Sequence, residues 1–201
     1  MSLPLRKLRR EIERLKRLAD SHDWTARERA GFALRDLLEL NFDEGMKLTE
    51  QWVFDDSERI RRAACLACMQ RKRFTSPARV RRVLKRVERL MKDESLYVRK
   101  CCGPFVIGYL GYTYPEISLP WLYRQAEKRH ANIRTNVAKA FSQALGGRHP
   151  IDGVKILGLM ARDDHARVRS AVSASLRNIQ KRRGIEKVDI RQSSEFERAS
   201  R

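Results

Sequence analysis

One phrase occurs three times in the chain, as "DDSERIRRAAC" from Asp55, "DESLYVRKCCG" from Asp93 and "DDHARVRSAVS" from Asp163. Each copy runs from acidic residues through a short gap to an aliphatic–Arg dipeptide and then to small apolar residues. Aligning Ala26-Arg27, Ile60-Arg61, Val98-Arg99, Ile133-Arg134 and Val168-Arg169 gives arginines spaced 34, 38, 35 and 35 residues apart. Self-similarity at that period belongs to arrays of helix pairs, in which each pair buries its apolar face only against its neighbours.

The register supports helices. Three residues after each Arg stand Ala30, Ala64, Cys102, Val137 and Val172, and seven after stand Leu34, Cys68, Val106, Phe141 and Leu176. Steps of three and four mark one face of a helix. Asp23, Ser57 and Ser95 precede the first three arginines by four residues and suit the N-cap; His130 and His165 hold that slot in the last two copies.

Between these helices lies a second set, "FDEGMKLTEQWVF", "SPARVRRVLKRVERLMK", "YPEISLPWLYRQAEK" and "HPIDGVKILGLMA". Pro77, Pro115 and Pro150 fall where a first helical turn tolerates proline. Leu5, Leu8, Ile12 and Leu15 form one stripe of a further helix at the N-terminus. Period-two runs and hairpin dipeptides are absent. The expected fold is all-α, an α-solenoid (superhelix) of about five HEAT-like helix-pair repeats. They fall near 5–40, 43–71, 77–111, 115–146 and 150–181, in one domain over 1–182, with a polar tail over 183–201.

Charge points to the partner. Lys and Arg number 44 against 25 Asp and Glu, a net charge of +19. Such self-repulsion is tolerated most readily when the partner is a polyanion, and the arginine fork suits phosphate oxygens. Duplex DNA is the leading expectation. An acidic protein bound by a non-catalytic scaffold and structured RNA are the alternatives. No run of residues approaches a membrane span, and the basic N-terminus lacks the apolar core of a secretory signal, so a cytoplasmic, monomeric protein without membrane attachment is expected.

The arginine column could bind phosphates or form a ladder with loop acids Asp55, Asp56, Asp93, Asp163 and Asp164; the ladder is favoured. Phosphate contacts then fall to Arg35, Arg62, Lys100, Lys139 and Arg177. Helix 77–92 carries Arg79, Arg81, Arg82, Lys85, Arg86 and Arg89, read as a solvated face and a candidate second contact. Trp24, Trp52 and Trp121 are read as packing residues, and the four histidines have no ligand spacing. Cys65-x-x-Cys68 with Cys101-Cys102 has metal spacing, but all four sit in amphipathic helices, where a free thiol behaves as a small hydrophobe. No metal or cofactor is expected.

The phrases "DDSERIRRAACLACMQ", "DESLYVRKCCGPFVIGYLGYTYPEISLPWL" and "HANIRTNVAKAFSQAL" resemble the HEAT-like DNA alkylation repair family, across residues 20–180 or so. The resemblance implies a duplex cradled by the second helix of each pair. It also implies excision of N3- or N7-alkylated purines by members that carry an Asp with a Trp one turn before it. An Arg on the next repeat and a second Trp two repeats on complete their set. Carried onto this chain, the Asp becomes Asp36, with Phe32 in the preceding aromatic place, and the Arg becomes Arg62. The second Trp place falls on Pro104, which has no flat ring for cation–π attraction. Asp36 would stabilise positive charge developing on the sugar.

Overall fold

The computed structural model describes residues 3–71 and 76–183. Among the described residues every regular element is helical, and no helix is long and apolar enough to cross a membrane. The chain divides into two compact units, Met1–Val106 and Ile107–Arg201. The first holds α1 (Leu5–Ala19), α2 (Trp24–Leu40), α3 (Phe42–Leu48) with a 3-10 turn over Glu50–Phe54, α4 (Glu58–Leu66), α5 (Pro77–Leu90) and α6 (Leu96–Cys101). The second holds α7 (Gly108–Thr113), α8 (Pro115–Ala126), α9 (Ala131–Ala140), α10 (Ala144–Arg148), α11 (Pro150–Gly158) and α12 (Ala166–Arg183).

Within each unit helix pairs stack as a solenoid does, each pair against the next. In the first unit α2 packs on α4 and α4 on α6; in the second α8 packs on α11 and α9 on α12. The aligned apolar positions form the seam. Ala30, Ala64, Cys102, Val137 and Val172 are buried, as are Leu34, Cys68, Val106, Phe141 and Leu176. Pro77, Pro115 and Pro150 each open a helix, where a missing N–H leaves no bond unmade.

The helical signals divide more finely than a two-helix repeat requires. The segment 42–54 splits into α3 and the 3-10 turn, and the segment 131–148 splits into α9 and α10. At Cys102–Ile107 the helix that begins with α6 widens to a π-helix. Pro104 lies inside that stretch; a proline there withholds a donor and crowds the preceding turn, so the regular i→i+4 ladder cannot close. Arg183 ends α12, and the rest of the expected tail, 184–201, lies outside the described residues.

Candidate nucleic-acid interface

The arginine column does one local job five times. The Nη1 of Arg27 donates to the carbonyl oxygens of Ser21 and His22 at 2.8 and 2.7 Å. Arg61 does the same to Asp55 and Asp56, Arg99 to Asp93 and Glu94, Arg134 to Lys128 and Arg129, and Arg169 to Asp163 and Asp164. The acceptors are always the sixth and fifth residues before the Arg, so each guanidinium ties a helix's first turn to the loop that feeds it. Two members also reach the next loop: Arg61 forks onto Asp93 at 2.6 and 3.2 Å, and Arg134 forks onto Asp163. Charge-assisted, two-point bonds of this kind are the strong ones. The ladder is therefore realised with acids at two rungs and with carbonyls at all five.

The loop acids are held by the same motif. Asp55, Asp93 and Asp163 each accept the backbone N–H two residues on, from Ser57, Ser95 and His165, the turn that Asp favours. Asp163 is held below its usual carboxylate range, chiefly by its bonds to Arg134. Of the expected caps, Asp23 accepts from Thr25 and Ala26, and Ser95 accepts from Tyr97. Ser57 instead gives its hydroxyl to Asp20 on the preceding repeat's loop.

With the column committed to structure, the chemistry of the first unit gathers at another cluster. Trp24 is the first residue of α2, where no preceding turn covers its ring, and it stays 50% exposed. The expectation that it is a packing residue is thus overturned, whereas Trp52 and Trp121 are buried. Glu28 stands one turn further along α2 and forms an ion pair with Arg62 of α4. The Arg62 guanidinium lies 4.8 Å from the ring centroid of Trp24 and 4.8 Å from that of Tyr97 on α6. Arg27 approaches the same two rings at 5.6 and 6.0 Å and donates to the Tyr97 hydroxyl oxygen at 3.2 Å. The two rings are 6.4 Å apart and tilted by 59°. Three successive second helices thus supply an aromatic pair, two planar cations and a carboxylate.

Asp36 pairs with Arg35 at 2.8 Å and Arg71 at 3.1 Å, so two cations already share its charge. Phe32, 36% exposed, lies under the Arg35 guanidinium at 5.1 Å. Arg62 does not reach Asp36; its side chain is only 11% exposed and belongs to Glu28 and the two rings. Read as an unpaired phosphate ligand, Arg62 is therefore corrected: a half-buried guanidinium finds a carboxylate and flat apolar faces first. Lys139 likewise has a partner. Lys100 on α6 and Arg177 on α12 are exposed and form no ion pair among the described residues.

Helix α1 carries cations whose pattern in the sequence did not mark them as contacts. Its Arg6, Arg9, Arg10 and Arg17 are exposed without an ion pair among the described residues, while Arg14 pairs with Glu11 and Lys16 with Asp55. Helix α5, read as a solvated face, differs in one residue. Arg86 is buried and donates to the Thr49 hydroxyl oxygen and the Met46 carbonyl, with Arg82 and Arg89 paired to Asp43 and Glu50. The four cysteines are buried free thiols, with the Cys65 and Cys102 sulfurs 3.3 Å apart. Burial pushes the Cys68 thiol up to about 12, far from a nucleophile's range. No group of three metal-ligating side chains occurs among the described residues.

No protein-family model matches the chain, and no curated protein matches it. Among solved structures it is similar to a designed armadillo repeat protein in complex with the peptide (KR)4, at 14% identity and a TM-score of 0.39, over 87% of this chain and 91% of that one. An engineered protein from the Northeast Structural Genomics Consortium matches at 14% identity and a TM-score of 0.42, over 85% of this chain and 81% of that one. A second engineered protein from the same source matches at 15% identity and a TM-score of 0.40, over 85% and 80%.

Proposed function

We propose that this helical-repeat protein binds duplex DNA through its phosphates and presents the Trp24–Glu28–Arg62–Tyr97 cluster to a positively charged, alkylated purine. The observation that carries this reading is the cluster itself. A partly exposed Trp and a Tyr already hold two planar cations, Arg62 and Arg27, beside a carboxylate. The exposed part of the Trp24 ring offers a flat cationic base cation–π attraction. The charge balance supports the partner, since a net +19 favours a polyanion.

The arrangement also suits the resemblance better than the assignment to Asp36 and Phe32. An aromatic residue one turn before a carboxylate, an Arg on the next repeat and an aromatic residue two repeats on are met in space by Trp24, Glu28, Arg62 and Tyr97. Tyr97 then supplies the ring that Pro104 lacks. Glu28 takes the place of the expected Asp, and its carboxylate touches the aromatic site, whereas Asp36 is shared between Arg35 and Arg71.

Phosphate contact in the first unit falls to exposed cations without an ion pair among the described residues: Lys100 on α6, Arg29 on α2 and Arg6, Arg9, Arg10 and Arg17 on α1. Binding through phosphates releases counterions, so log affinity should fall with log salt at a slope of about −0.9 per contact. A scaffold for an acidic protein would bind no duplex at about 0.15 M salt. Release of 3-methyladenine or 7-methylguanine from methylated duplex, measured on the parent, Glu28→Gln and Asp36→Asn, tests the chemistry. Loss of release in Glu28→Gln alone assigns the carboxylate to Glu28. Loss in Asp36→Asn alone restores Asp36, and no release with DNA affinity intact leaves a binding protein.

A further inference from the structure

We infer that the second-helix face of the first unit selects DNA carrying an unpaired, unstacked base over fully matched duplex. The inference rests on the DNA-binding reading above and concerns a different aspect of the ligand, the exposure of its base faces.

Two aromatic rings stand on one stripe of α2. Trp24 and Phe32 are eight residues apart, with Glu28 midway; each step of four turns about 40° round the helix, and the whole span is about 12 Å along the axis. Both rings are partly exposed, and each carries a guanidinium: Arg62 and Arg27 at Trp24, Arg35 at Phe32. Such rings have no use for a phosphate. A matched duplex keeps the faces of its bases inside its own stack and turns only edges, sugars and phosphates outward. Against it, Trp24 and Phe32 would gain little.

An unpaired base is a different ligand. It presents a π-face that stacks on Trp or Phe, and the neighbouring guanidinium adds cation–π attraction and reaches the adjoining phosphate. Alternating rings and cations along one helix is the surface by which proteins hold single-stranded segments without reading sequence. The exposed cations nearby, Arg29 on α2 and Lys100 on α6, supply the sequence-independent attraction to the backbone on either side.

The test is fluorescence anisotropy with the full chain and three labelled duplexes of one sequence: matched, with a two-nucleotide bulge, and with the same bulge made abasic. Stacking one base should strengthen binding about tenfold. The bulged duplex is therefore expected to bind about tenfold tighter than the matched one, and the abasic bulge should fall back to the matched value. Trp24→Ala should remove most of the difference between the bulged and the matched duplex. Phe32→Ala should remove a smaller part, and circular dichroism confirms that both variants fold.

Equal affinity for bulged and matched duplex would overturn the inference and leave the DNA reading standing. An abasic bulge bound as tightly as the normal bulge would also overturn it, because flexibility and not stacking would then be the signal. Binding of none of the three at low salt would remove both readings together. A Trp24→Ala variant weakened equally on all three would make Trp24 a general contact and sink the selectivity.

Discussion

The two compact units are built with the same device and finished differently. Both use an arginine to fasten each second helix to its loop, and both drive one arginine into a loop aspartate, Arg61 with Asp93 in the first and Arg134 with Asp163 in the second. What differs is the solvent side. The first unit leaves Trp24 and Phe32 partly exposed under guanidinium groups. In the second, the exposed Tyr112 is paired with Arg148, and Pro115, Leu119, Pro120 and Tyr123 form a shallow apolar surface beside Glu116 and Asp152. The lesson is that the repeating residues are occupied with holding the repeat. Function has to be sought in the positions where the copies disagree.

Close helix packing separates the units further and yields the largest expected effect. A Cβ on Gly146 would stand 2.1 Å from the Phe141 carbonyl oxygen, and one on Gly31 would stand 2.8 Å from Leu66 Cδ1. Backbone cannot swing aside as a leucine terminus can. Gly146→Ala should therefore destabilise the protein by about 3 kcal/mol and Gly31→Ala by about 1 kcal/mol, read from chemical denaturation. Equal losses would show that the two units tolerate overpacking alike.

A smaller effect tests the shared clamp. Arg134→Ala strands the buried Asp163 carboxylate, whereas Arg169→Ala removes only bonds to two carbonyls in an exposed setting. The first should cost about 2 kcal/mol and the second below about 1 kcal/mol in the same assay. Near-identical values would make the carbonyl contacts, not the acid, the main part of every rung.

The acid limb of stability follows from the same aspartate. Its folded-state pKa lies below the unfolded value, which is near 3.9. The contribution is thus fully present above about pH 4 and is lost as pH falls through the folded-state value, when Asp163 takes up a proton. Asp163→Asn should flatten thermal stability against pH on that limb relative to the parent. An unchanged profile would assign the acid sensitivity to other carboxylates.

The smallest effect concerns the ligand. Lys100→Ala should reduce the salt slope of duplex binding by about 0.9 and change matched and bulged duplexes alike. Tyr112→Ala, in the second unit, should alter neither slope nor selectivity. A loss of bulge selectivity in Tyr112→Ala would break the contrast between the units.

Much of the frame was legible beforehand. The 34–38 residue spacing of the arginines predicted the helix pairs, and the residues three and seven beyond each Arg are the buried seam. The clamp was half legible: acids near arginines pointed to ion pairs, but bonds to carbonyls five and six residues back leave no mark in residue type. The candidate site was legible only in parts. Trp24 directly after its cap was a signal, since a ring in a first turn lacks a covering turn, yet its aromatic character reads as core in a list of residues. Asp36 and Phe32 have the helical spacing that the resemblance implies, but the pairing of Asp36 with both Arg35 and Arg71 was not legible in the sequence.

Local chemistry, then, determined the repeats: apolar residues at steps of three and four, a cap, a turn-forming aspartate and an arginine act within a few residues of one another. Which cations stay free was decided by the tertiary structure alone. A guanidinium goes to whichever carboxylate or ring the fold brings within about 5 Å. For Arg62 that choice lies 34 and 35 residues away in the sequence, at Glu28 and Tyr97.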